Sequence, residues 1–431
     1  MDRLPQELLQ LIIEGEELAN TDLATLRLVN KTLATAAAPP LFHTISVWLS
    51  FTSLERLTNI AESAQLSSFV KEIIFSPLRF KTIRDTSQYE AQIRSWMEYR
   101  HSSLGALSLS VLKHMTAYGA YSKTQRRFTE GSLDIKILRW ALTKLSYLET
   151  INFDVACPFI GSKELIHAFG NFKACDLLTY DSDYVFPVVM KALSAAETSI
   201  KAFNIGYYEW RERKGADLGH AGHKDPAELG PSSDPQSSWS LAFAKTFRSF
   251  DSDISWEPAF SQLRVLRIET LSFGVETTEG VSRISSSVAN LITAAPLLEV
   301  IDIGGICPYD SEILPTLGST FSLYNFCHLR RLFLHRFQFT DHGMLGFLSR
   351  HSLTLEIVRF IVVRLISGDW SSVFTQAKDK EWPCLTSFYL YDCLDDEVVD
   401  DNLWVHNYLT GVTDVNPVEE VRKEQAGEWE E

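Results

Sequence analysis

A chain of 431 residues is longer than a single hydrophobic core usually serves, so its ordinary apolar share of 45% implies several domains or a stacked, quasi-linear architecture. Its 40 Lys and Arg against 55 Asp and Glu leave a net charge of −15, which repels a phosphate backbone and argues against a nucleic-acid partner. No stretch approaches the roughly 18 uninterrupted apolar residues of a membrane span, and the first residues carry no basic and then apolar leader, so a cytoplasmic or nuclear location without membrane contact is expected.

The first element is a helix opened by Pro5, whose missing N–H costs nothing in a first turn, with Leu8, Leu9, Leu11 and Ile12 giving it a broad apolar face. A second helix follows, capped by Asn20 or Thr21, with Asp22 in the first turn. Leu23, Leu26, Val29 and Leu33 recur along it at helical spacing, and Pro39-Pro40 closes it. So short a segment cannot bury this many leucines internally. The surplus must meet the next domain or a separate protein, and a short helical module with such a patch favours a docking surface.

The residues of this segment carry a resemblance. The opening Leu4-Pro5-Gln6-Glu7-Leu8-Leu9-Gln10-Leu11-Ile12, the run Asp22-Leu23-Ala24-Thr25-Leu26-Arg27-Leu28-Val29-Asn30-Lys31 and the exit Ala38-Pro39-Pro40-Leu41-Phe42 resemble the F-box of fungal F-box proteins. In that family the module binds the Skp-type adaptor of a cullin-RING ubiquitin ligase. The resemblance implies that Leu4, Pro5, Leu8, Leu9, Ile12, Leu23, Leu26, Leu28 and Val29 lie at or near the adaptor surface, some of them packing the module's own core instead. Two features depart from the family pattern. The run Ile13 to Leu18 is about two residues longer and holds Gly15, which costs roughly 1 kcal/mol in a helix interior. Leu33 stands where many F-boxes carry a tryptophan.

Beyond the module, Ile45, Val47 and Leu49 alternate as in a short strand, and Ser53 is placed to cap a helix carrying Leu54, Leu57, Ile60 and Ala61. A triplet of spacing LxxLxL then recurs. Its members are Val70/Ile73/Phe75, Leu148/Ile151/Phe153, Ile200/Phe203/Ile205, Leu263/Leu266/Ile268, Leu298/Ile301/Ile303, Leu329/Leu332/Leu334, Leu355/Val358/Phe360 and Leu385/Phe388/Leu390. The last five begin about 26 to 35 residues apart, close to the leucine-rich-repeat range. Helical patterns precede several of them, such as Ile135, Leu138, Leu142 and Leu145. Two apolar residues at alternate positions face one side of a strand, and no single unit buries that face alone, so the pattern must repeat to be stable.

The expected fold class is therefore α/β: an N-terminal helical module over 1–45, then an irregular leucine-rich-repeat-like solenoid of helix–strand units with a mainly parallel sheet over 46–394. Within it, 211–238 is rich in Gly, Pro and charge and reads as a disordered loop; its His220 and His223 lack the three or four fixed ligands of a metal site. The stretch Ser367 to Phe374 resembles a Gly-x-Trp segment seen near the end of the repeat region in fungal F-box proteins. Residues 395–431 turn acidic and read as part cap, through Trp404, Tyr408 and Leu409, and part disordered tail.

Cys157, Cys175, Cys307, Cys327, Cys384 and Cys393 form no CxxC pair and read as reduced, mostly buried thiols. No nucleophile elbow, phosphate loop or HExxH helix is present, so no catalytic residue, cofactor or metal is assigned. The F-box resemblance implies a non-catalytic substrate-recognition subunit of an SCF-type ligase, joined to cullin through the adaptor and holding an unidentified protein target. The rival reading is a protein-binding scaffold that uses the module without assembling a ligase.

Overall fold

The computed structural model describes residues 5–15, 18–80, 87, 90–91, 104–153, 178–180, 182–206, 257–269, 288–304, 321, 324–391, 393 and 402–419. They fall into two compact units, one of described residues up to Thr198 and one from Ser199 onward. The 211–238 loop lies outside the described residues.

The first unit begins with three helices rather than two: α1 (Gln6–Gly15), α2 (Asn20–Val29) and α3 (Lys31–His43). Neither Asn20 nor Thr21 caps α2; Ala19 holds that position without a side-chain bond, and both polar residues lie inside the helix. The periodic run expected to continue through Leu33 breaks at Asn30, which is extended (φ −161°, ψ 170°) and accepts the Leu33 N–H at 2.8 Å. That short side chain gives a new helix the acceptor its first turn lacks, so one helix becomes two. Pro39 and Pro40 do not close a helix but lie inside α3. Gly15 is the last residue of α1, where the interior penalty does not apply.

Next come β1 (Thr44–Trp48), α4 (Phe51–Glu62), α5 (Ala64–Ser67), β2 (Glu72–Ser76) and β3 (Leu78–Phe80). After them follow α6 (Leu104–Gly131), α7 (Leu133–Lys144), β4 (Thr150–Phe153), β5 (Leu178–Tyr180) and α8 (Ser182–Ala195). Ser50, not Ser53, caps α4: its hydroxyl accepts the Ser53 N–H at 3.1 Å, while the Ser53 hydroxyl accepts the Trp48 N–H at 3.2 Å. Strands β1, β2 and β4 pair in parallel, aligning Ile45 with Ile73 and Ile151, and Val47 with Phe75 and Phe153. β3 and β5 pair antiparallel.

A polar network sits inside this unit. Asp134 is fully buried; it accepts the Tyr184 hydroxyl at 2.5 Å and the Ile135 N–H at 2.8 Å. The Arg79 guanidinium lies 3.7 Å from the centre of the Tyr184 ring and donates to the Thr129 hydroxyl at 2.9 Å. Burial, and then the bond to Asp134, push the Tyr184 phenol up to about 12. Tyr184→Phe removes a charge-assisted donor from a carboxylate that water cannot reach. We expect it to destabilise the first unit by about 1.5–3 kcal/mol, read as a lower urea midpoint.

The second unit holds β6 (Ala202–Ile205), α9 (Glu257–Phe260), β7 (Val265–Glu269), β8 (Val300–Gly304), β9 (Arg331–His335), β10 (Gln338–Thr340) and α10 (Asp341–His351). It continues with β11 (Ile357–Ile361), β12 (Arg364–Ser367), α11 (Trp370–Lys378), β13 (Ser387–Tyr391) and α12 (Asn402–Leu409). β6, β7, β8, β9, β11 and β13 pair in parallel in chain order, and β10 pairs with β12. Both units are thus mixed α/β with mainly parallel strands.

Register turns the triplets into columns. Phe203, Leu266, Ile301, Leu332, Val358 and Phe388 align across the strands, and Ile205, Ile268, Ile303, Leu334, Phe360 and Leu390 form a second column two residues on. Every member of all eight triplets is buried. In six of the eight units the residue after the leading apolar position has the same role. The carbonyls of Lys201, Arg264, Glu299, Arg330 and Glu356 each accept two successive N–H groups from the start of the next strand. Lys71 does the same for Glu149 and Thr150 in the first unit. Along this edge Arg264 pairs with Glu299 at 2.8 Å, and Arg330 pairs with Glu356.

Gly368 has φ +71°, and a Cβ there would stand 2.6 Å from a carboxylate oxygen of Asp341, so the turn before α11 requires glycine. Asp369 then caps α11, accepting the Ser372 N–H at 2.9 Å, and Trp370 is buried against Phe360 and Phe374. α12 packs beside β13 with Val405, Tyr408 and Leu409 buried. The Asn416 amide donates to the Ser371 carbonyl and the Thr375 hydroxyl, both at 3.0 Å. The acidic segment is therefore anchored through Val418, which is buried. Of the described cysteines, Cys393 is buried but Cys327 and Cys384 are exposed, against the expectation of mostly buried thiols; none of the three is in a disulfide.

Candidate functional site

α1 is apolar on two sides. Leu9 and Ile13, one turn apart, are buried with Leu23, Leu33, Ala36 and Ala37, and Leu18, Leu26 and Leu41 pack against that cluster. Leu8, Leu11 and Ile12 recur at the i, i+3, i+4 positions of another stripe and are 47%, 64% and 49% exposed. At the end of α2, Leu28 is 87% and Val29 62% exposed. Fully burying a leucine or isoleucine is worth roughly 1.5–3 kcal/mol, so these five side chains leave several kcal/mol unused in the isolated chain.

The expected adaptor residues therefore divide. Leu8, Ile12, Leu28 and Val29 point outward, Pro5 is exposed, and Leu26 is half-buried. Leu9 and Leu23 serve the module's own core. Leu4 lies outside the described residues. Leu11 belongs with the outward set although it was not among the assigned residues; its position three after Leu8 was the signal that could have found it. The Pro5 carbonyl accepts the N–H groups of Leu8 and Leu9, both at 3.1 Å, which fixes the first turn and so the phase of the two stripes. Arg27 lies 4.8 Å from the centre of the Phe42 ring and joins α2 to the end of α3.

Elsewhere the first unit has a cavity of about 180 Å³ lined mainly by Trp48, Phe51, Phe80, Tyr121 and Phe128. Gln125 also lines it, but its amide is engaged by the backbone N–H and carbonyl of Phe80, both at 2.9 Å. In the second unit, His342, Ser349, Gln376, Asp379 and Lys380 line an open polar groove. Among the described residues no cluster of three or more His, Cys, Asp or Glu could hold a metal ion, and His220 and His223 lie outside them. Among the described residues no helix is long and apolar enough to cross a membrane.

No protein family matches the chain, and no curated protein is found similar to it. Among solved structures it is similar to one described as "Crystal structure of Rad7 and Elc1 complex in yeast", with 12% identity over 91% of this chain and 90% of that chain and a TM-score of 0.26. A likeness of that size supports no conclusion on fold, partner or activity.

Proposed function

We propose that the three N-terminal helices are an F-box-type module that docks on a Skp-type adaptor, and through it on a cullin, while the strand units that follow hold a target protein for ubiquitin transfer. The observation that carries this reading is the two-sided helix α1: Leu9 and Ile13 close the module's core, which leaves Leu8, Leu11 and Ile12 as a stripe with no use inside the module. The motif resemblance of the same residues supplies the kind of partner. In this reading the chain carries out no covalent chemistry and needs no cofactor, and the ligase gains its rate from proximity.

The test is co-purification with a Skp-type adaptor. Leu8→Asp or Ile12→Asp should lower adaptor affinity at least about a hundredfold, because each buries an unpaired charge in the complex, with the melting temperature unchanged since neither site is buried in the free chain. Leu9→Asp should unfold the helices instead. A folded Leu8→Asp chain that binds like the wild type would sink the reading, as would a wild-type chain that ignores the adaptor while a control F-box binds. A chain that binds the adaptor but recruits no cullin would be a protein-binding scaffold.

A further inference from the structure

In the second unit, the positions of β9, β11 and β13 that face away from the core columns are 331, 333 and 335, 357, 359 and 361, and 387, 389 and 391. They include two arginines and no aspartate or glutamate, in a chain whose net charge is −15. Arg359 is exposed and aligned between Phe333 and Tyr389, its guanidinium carbon 5.4 Å from one ring centre and 5.5 Å from the other. Tyr391 stacks beside Tyr389 with ring centres 6.4 Å apart and planes 5° apart. Arg331 is exposed on the neighbouring strand. Among the described residues no carboxylate lies within ion-pair distance of either arginine.

Flanked by a ring on either side, the exposed guanidinium presents a fork of N–H donors that matches a carboxylate bidentately. Holding the side chain between two rings also lowers the entropy lost when a ligand binds. On the next strand inward, β8, the residue aligned with Phe333 is the acidic Asp302, and Asp302 is aligned in turn with Arg267 on β7. The outward positions of the last three strands carry positive charge and no carboxylate. His335 adds none at neutral pH, since burial holds it down to about 4.

We infer that this strip is a docking site for an acidic, glutamate- or aspartate-rich segment of a partner protein, with Arg359 and Arg331 taking its carboxylates and Phe333, Tyr389 and Tyr391 taking the intervening apolar atoms. It rests on the proposed function only in calling that partner the target. A long polyanion such as RNA is disfavoured because the rest of so acidic a chain repels it, whereas a short peptide meets only the strip.

The experiment is fluorescence anisotropy of the full chain with a short labelled peptide rich in glutamate and leucine, its glutamine counterpart, its phosphoserine counterpart and single-stranded RNA. The glutamate peptide should bind in a salt-sensitive manner and the glutamine peptide should not. Arg359→Gln and Arg331→Gln should each weaken binding about tenfold or more, with Arg359→Lys falling between, because lysine keeps the charge and loses the fork. Both arginines are exposed, so the variants should melt like the wild type and still bind the adaptor; this separates failure here from failure of the docking module. The inference is overturned if the glutamate peptide does not bind, binds equally to Arg359→Gln, or loses to the phosphoserine peptide or RNA. Binding that appears only after Asp395, Asp396 and Glu397 are neutralised would make the chain's own acidic run the occupant and overturn the partner reading.

Discussion

Val358→Asp is expected to prevent the second unit from folding, whereas Arg359→Asp, one position along the same strand, is expected to leave it intact. Val358 is fully buried, aligned between Leu332 and Phe388 as the fifth member of a six-residue apolar column. An aspartate there must take up a proton to avoid a buried charge, and the neutral acid still loses its bonds to water with no polar partner in the column. Adding the lost valine packing, the cost reaches several kcal/mol, against a stability of roughly 5–15 kcal/mol for a typical domain. Arg359 faces the other side and is exposed, so its replacement alters charge and ring contacts but not the core. Soluble yield and circular dichroism of the two variants decide the matter. A folded Val358→Asp beside an unfolded Arg359→Asp would mean that the strand faces the opposite way.

The second large effect is a loss of stability on mild acidification. His351 is buried, donates through Nδ1 to the Phe347 carbonyl at 2.8 Å and accepts the Phe326 N–H at Nε2 at 3.0 Å, which only the neutral ring can do. Burial lowers its pKa and the neighbouring Arg350 adds to the effect; burial and Arg336 likewise push His335 down to about 4. In the unfolded chain both histidines take up a proton near pH 6.5, while in the folded chain both do so at lower pH, His335 only at about 4. The unfolded state therefore binds more protons between about pH 6.5 and pH 4, so the stability present above that window falls as pH drops through it. Asp341 and Asp414, held low by hydrogen bonds, lose their contribution only below about pH 4, a separate window. His351→Leu should destabilise the second unit by about 1–3 kcal/mol at pH 7.5, read as a lower urea midpoint, because the Phe326 N–H loses its acceptor. Below pH 6.5 its stability should also decline less steeply than that of the wild type. Equal slopes would remove His351 from the account.

The strands were the most legible part of the chain, for a physical reason. A core column needs an apolar residue at the same three offsets in every unit, and this requirement is local, so Leu329, Leu332 and Leu334 announce themselves without knowledge of their neighbours. Helix ends were harder. Leu26, Val29 and Leu33 keep one period across the break at Asn30, and only the asparagine three residues before Leu33, a strong capping signal, marks where the helix restarts. The docking stripe was half legible: the motif picked out Leu8 and Ile12, but helical phase was needed to place Leu9 inside and Leu11 outside. The Arg79–Tyr184–Asp134 network and the rings about Arg359 could not be read at all. Their members meet across strand or helix contacts, and the sequence records no distance between them.

In the second unit each main strand pairs with the one made just before it, from β6 through β13. A chain leaving the ribosome can thus add each strand to an edge that already exists, without waiting for a distant segment still to be synthesised. The growing edge, not the finished core, is then the exposed apolar surface during translation. A slow stretch of synthesis is best tolerated just after a strand has docked and worst tolerated midway through one.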